Sequence, residues 1–149
     1  MLKKVLLALL AVLIIIQFFG IDRTRPESDP AKDFIAVENP PDSVALSIRN
    51  SCYDCHSNNT VYPWYSRVAP VSWMLATHVK EGREHLNFSE WGDYPVGRIT
   101  YILQNCYEAI SENEMPLPSY RLMHSESVMK DRSKEQVLEW MRTRGAWED

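Results

Sequence analysis

The sequence predicts an all-α fold. Four windows place apolar residues at helical steps of three and four, and no window alternates with the period of two that a strand needs. Pro70 and Pro95 stand where helices start rather than inside them. With 149 residues the chain makes one domain of ordinary size. Its 11% aromatic content, including five Trp, excludes a chain disordered along its bulk. Three cysteines are too few for a disulfide scaffold, and a formal charge of −4 argues against binding nucleic acid, which needs a basic face.

Taken in order, residues 1–21 read as a membrane anchor or uncleaved signal. Lys3 and Lys4 precede a run, Val5 to Phe19, that is apolar except for Gln17. The exit Gln17-Phe18-Phe19-Gly20-Ile21 is bulky where a signal peptidase wants small side chains. The run to Ile21 reaches the short end of the range for a transmembrane helix. Lys3 and Lys4 are balanced by Arg23 and Arg25, so charge alone does not orient it. Residues 22–43 hold Pro26, Pro30, Pro40 and Pro41 and read as an extended linker, with Phe34, Ile35 and Val37 docking locally at most.

The domain proper spans 44–144, with 145–149 as a tail. Asp42 or Ser43 caps a first helix carrying Val44, Ile48, Cys52 and Cys55 on one stripe. A second opens at Pro70 and aligns Val71, Leu75, His78, Gly82 and Leu86. A third follows Pro95 with Val96, Ile99, Leu103, Cys106 and Ile110, and the last starts at the capping box Ser133-x-x-Gln136 before Val137, Leu138, Trp140 and Met141. Residues 111–132 read as a long loop.

The chemistry lies in Cys52-Tyr53-Asp54-Cys55-His56. On a helix both thiols and the imidazole project to one side, so the thiols can add across two haem vinyl groups while His56 reaches the iron. This composition would produce a C-x-x-C-H by chance only about 0.002 times in such a chain. A zinc site on Cys52, Cys55, Cys106 and a histidine lacks a second ligand knuckle. A thioredoxin-type motif would follow a strand, and a disulfide three residues apart on a helix is strained. One haem c, attached through Cys52 and Cys55, is expected. Thioether attachment happens outside the cytoplasm, which places the domain on the periplasmic or outer side of the membrane.

The run from Cys52 through Tyr62-Pro-Trp-Tyr65, then Ala69-Pro-Val-Ser-Trp73, His78-Val-Lys-Glu-Gly-Arg83, Leu86-Asn-Phe-Ser-Glu-Trp91 and Met115-Pro-Leu-Pro-Ser-Tyr120 with His124, resembles the small haem-binding domain family of bacterial envelope proteins. The resemblance covers about two thirds of the chain, from near Ser47 to Trp140. It implies a cytochrome c-like bundle of about four helices around one haem, behind an N-terminal transmembrane helix, and no enzymatic activity. Members often read His-Pro-Glu-Ala where this chain has His124-Ser125-Glu126-Ser127.

Tyr62, Trp64, Tyr65, Trp73 and Trp91 are expected to cover the haem face as well as to fill core, with Trp73 the haem contact. Arg83 and Arg98 are candidates for the propionates, against the common alternative of solvated surface arginines. Cys106 is expected as a buried small hydrophobe.

The function expected is electron transfer rather than catalysis. The domain without residues 1–21 carries a formal −6, suited to a redox partner with a basic patch. The alternatives are a peroxidase-like enzyme or sensor with an open iron position, and a module in which haem is structural. For the sixth ligand, Met115 is expected: it lies in a loop before the final helix, where cytochrome c-like folds present a thioether, and Pro116 and Pro118 stiffen it. His78 and then His124 are the rivals.

Overall fold

A computed structural model describes residues 1–147, and the described residues form helices and turns with no strand. The helices are α1 (Leu2–Ile16), α2 (Phe34–Glu38), α3 (Asp42–His56), α4 (Val71–His85), α5 (Val96–Ser111), α6 (Pro118–Met123) and α7 (Asp131–Gly145). Short 3₁₀ turns stand at Pro30–Lys32, Trp64–Arg67, Phe88–Asp93 and Ser125–Ser127. The four helices predicted by periodicity are α3, α4, α5 and α7. α3 is central, packing on both α4 and α7, and α7 packs on α5. The apolar stripes of α3, α5 and α7 meet in a core that includes Ile48, Leu103, Val137 and Met141, all buried, while α4 buries Leu75 and Val79.

The stretch expected as a plain linker is part of that core. Phe34 is fully buried, its ring edge-on to Trp91 at 4.8 Å and 4.9 Å from Phe88. Asp33 caps α2 by accepting the Ile35 N–H at 3.0 Å, and accepts the Tyr53 hydroxyl at 2.8 Å. Glu38 closes the same segment, accepting the Trp91 indole N–H at 2.7 Å and pairing with Arg144. Trp91 is therefore core. Burying one Phe is worth about 2–3 kcal/mol, enough to hold five helical residues that propensity alone would not.

Four further expectations change. α1 stops at Ile16, so at 1.5 Å per residue it is about 22 Å long. Among the described residues no helix is long and apolar enough to cross a membrane, and a transmembrane helix running to Ile21 is not what forms. The cause is local: Gln17, Phe18 and Phe19 donate their amides to carbonyls three residues back, tightening the last turn before Gly20. The loop 111–132 contains α6 and a 3₁₀ turn. α7 begins at Asp131, ahead of the Ser133 capping box, with Lys130 as an N-cap that makes no side-chain cap bond. α3 likewise starts from Pro41, with Asp42 already in the first turn, where its charge complements the helix dipole.

Candidate functional site

The C-terminal end of α3 delivers the cysteine–histidine motif to a cavity of about 530 Å³. Its walls are Ser51, Cys55 and His56 from α3, Trp64 and Tyr65 from the following 3₁₀ turn, one face of α4 from Val71 to His85, and the segment from Met115 to Met123. The α4 residues on the wall are Val71, Met74, Leu75, His78, Glu81, Gly82 and His85, at steps of three, one, three, three, one and three. That is one helical stripe. The cavity is of cofactor size, and apolar side chains dominate its surface.

His56 is held in one tautomer. Its Nδ1 lies 2.9 Å from the Gly82 carbonyl oxygen and 3.3 Å from that of Leu86. Carbonyls only accept, so Nδ1 carries the proton and Nε2 keeps its lone pair. Burial lowers the imidazole pKa, partly offset by those two hydrogen bonds, so the ring stays neutral at physiological pH. A neutral imidazole oriented through Nδ1 is the usual state of a metal ligand.

α4 can approach this closely because residue 82 is glycine. A Cβ built there would lie 2.7 Å from the Cys55 carbonyl oxygen. Helix α3 and helix α4 thus touch backbone to backbone at the motif itself.

Met115 reaches the cavity wall through a built helix end. α5 closes in a Schellman motif: Asn113 takes φ 61°, its amide donates to Ile110 O, and the Glu114 amide donates to Ala109 O at 2.9 Å. Met115 N–H also donates to Ala109 O, at 3.0 Å, which folds the chain back toward α3. The loop is then latched. Tyr120 donates its hydroxyl to Asp54 Oδ2 at 2.7 Å, and Ser51 Oγ donates to Ser127 O at 2.9 Å.

The other expected residues divide. His78 lines the cavity. His124 does not: its Nδ1–H donates to Glu126 at 3.1 Å and its Nε2 accepts from the Tyr65 hydroxyl at 2.7 Å, while its ring stacks on Tyr120 at 4.3 Å. Both nitrogens are engaged. Trp73 also lies off the cavity wall, donating its indole N–H to Phe19 O at 2.8 Å, whereas Trp64 and Tyr65 are on it. Arg83 spans Ser57 O (2.8 Å) and Thr60 Oγ1 (2.9 Å), bracing the turn after the motif. Arg98 stacks over Tyr94, 4.5 Å from its centroid. Neither arginine faces the cavity, because each already has a nearer partner.

The thiols separate as well. Cys55 is on the wall, and burial beside Asp54 pushes its pKa up to about 11. Cys52 and Cys106 pack against the hydrophobic core, where burial raises both and takes Cys106 to about 12. Sequence reasoning missed Asp54 and Tyr120, which lie 66 residues apart. The signal available was their place inside the two motif runs, Cys-Tyr-Asp-Cys-His and Pro-Ser-Tyr.

A neutral imidazole with a free Nε2, a thiol and a thioether on the walls of one apolar cavity make a donor set that fits a haem. A family model described as a haem-binding domain matches residues 11–143. No curated protein and no solved structure matches the chain. The match runs from inside α1 almost to the end of α7 and takes in every wall of the cavity, and on it the chain belongs to the haem-binding domain family.

Proposed function

We propose that this protein is a mono-haem c-type cytochrome, tethered to the membrane by its N-terminus, that carries electrons on the periplasmic or outer side. The observation behind this is the His56 geometry: the histidine of a C-x-x-C-H motif enters an apolar cavity with its Nδ1 committed to backbone carbonyls. Cys52 and Cys55 would hold the porphyrin by thioethers, Cys55 from the wall and Cys52 from one turn earlier on α3. His56 would supply the proximal nitrogen and Met115 the sixth ligand, with His78 as its competitor on the wall. When bound, the haem supplies a one-electron iron couple, and thioether ligation raises its potential relative to two imidazoles.

The chain's part is to orient and to exclude water. The Gly82 and Leu86 carbonyls fix the imidazole plane, and Trp64, Leu75 and Leu117 give the cavity its apolar walls. Were His56 and Met115 both to bind the iron, a substrate would find no place on it, which favours a carrier over an enzyme. The tether is supported by an N-terminal run that is apolar and exposed along its length.

The experiment is co-expression with a cytochrome c maturation system, then haem staining of membrane and soluble fractions on a denaturing gel. Haem should migrate with the polypeptide in the membrane fraction, and Cys52→Ala/Cys55→Ala should lose it. Stain retained by the double variant would refute the covalent reading. The oxidised protein should be low-spin and ignore carbon monoxide once reduced. A sulfur-to-iron band in the red should vanish in Met115→Ala and persist in His78→Ala; a parent protein without that band, showing low-spin bis-imidazole spectra instead, assigns the site to a histidine.

A further inference from the structure

The exit from α1 is fastened to the domain at one place. Gln17 pairs its side-chain amide with the backbone of Ala69, Nε2 donating to Ala69 O at 3.0 Å and Oε1 accepting the Ala69 N–H at 3.0 Å. Trp73 donates to Phe19 O, and Arg23 donates to Ser66 O at 3.2 Å. These four hydrogen bonds set the apolar helix against the corner formed by the Trp64–Arg67 turn and the start of α4.

That corner is itself apolar and bare. Phe18 is 83% exposed, Phe19 64%, Val68 40% and Trp73 38%. None of them lines the cavity, so a bound haem would not cover them. They adjoin Val71 and Met74, which are exposed and do line it. The charge pattern agrees with the placement. From Cys55 to Lys80 an acidic chain has no Asp or Glu, while exposed Arg67 lies within the corner and Arg23 is bonded to it. Bulky aromatics with a polar edge, beside Arg67 and Arg23 and with Asp22 the one acid in the fastened exit segment, match the boundary between headgroups and acyl chains of an anionic bilayer.

We infer that this corner is a lipid-facing footing: Phe18, Phe19, Val68 and Trp73 rest in the interface of the bilayer that holds α1, and the cavity mouth opens beside the membrane surface. The inference rests on the proposed tether and adds to it a fixed orientation of the domain. A domain on a free linker would sample all orientations, and one fastened through Gln17, Phe19 and Arg23 does not.

The experiment uses the full chain with haem loaded, reconstituted in phosphatidylcholine/phosphatidylglycerol vesicles doped with a lipid carrying a photoreactive diazirine in its acyl chain near the headgroup. Flotation reports the tether, and mass spectrometry maps the lipid adducts. Adducts are expected on residues 64–74 as well as 2–21, at least about tenfold above those on α5, which is remote from the corner. A protein that floats with adducts confined to 2–21 overturns the footing and leaves the tether standing. A protein that neither floats nor takes adducts overturns both. Protein–protein crosslinks between two 64–74 segments in place of lipid adducts would assign the corner to a second copy and overturn the footing.

Discussion

His56 Nδ1 and the Gly82 carbonyl oxygen lie 2.9 Å apart, joining the end of α3 to the last turn of α4. The same glycine leaves only 2.7 Å between a would-be Cβ and the Cys55 carbonyl oxygen. One residue therefore both orients the imidazole and permits the helices to meet.

Gly82→Ala should force α4 off α3. The obstruction is backbone, which cannot rotate away, so a loss of about 1–3 kcal/mol is expected despite alanine's better helix propensity. Chemical denaturation would measure it. Haem yield should fall with it, since the carbonyl that holds His56 moves with α4; a variant as stable and as haem-replete as the parent would show that the contact relaxes.

Phe34→Ala should cost about 3–5 kcal/mol, the usual penalty for removing a buried aromatic. Were residues 22–43 a plain tether, the same change would be silent. The shift in denaturation midpoint separates the two, and Val37→Ala, at an exposed site on the same helix, serves as the control.

Tyr120→Phe removes the hydroxyl that Asp54 accepts and leaves the carboxylate short of one donor. About 1–2 kcal/mol of stability should go. Hydrogen exchange should rise across residues 115–124 and stay unchanged in α5, because the latch acts on the loop alone.

Cys106→Ala tests the opposite expectation. Burial pushes this thiol up to about 12, so at pH 7–8 it is protonated and unreactive. Iodoacetamide should label it only after unfolding. The alanine variant should lose about 1 kcal/mol and keep its full haem content. Rapid labelling of the folded protein would mean that this part-exposed thiol ionises well below that value.

Long apolar periodicity was readable, and so α3, α4, α5 and α7 emerge from the sequence within a few residues. Helix α2 does not, because five residues between prolines are too few to show a period, and only tertiary burial of Phe34 makes them helical. His56, Cys55, His78 and Met115, the candidate donors, carry their own signals in motif and loop chemistry, and all four line one cavity. Trp73 lies off the cavity wall, and a periodic pattern says which residues share a face, not what that face meets. The polar partners were invisible. Asp54 finding Tyr120, or Gln17 finding Ala69, joins positions far apart whose types fit many partners equally well.

The latching of the Met115 segment has an energetic consequence. A Schellman turn at Asn113, the Tyr120–Asp54 bond and the Ser51–Ser127 bond fasten this loop through the chain's own groups. A flexible loop would have to draw its ordering entropy, about 1–2 kcal/mol per residue, from whatever bond its tip made. Thioether sulfur is a weak donor and has little to spare. In a pre-ordered loop the chain's own hydrogen bonds already cover that cost, so whatever bond Met115 made would go wholly into holding its partner.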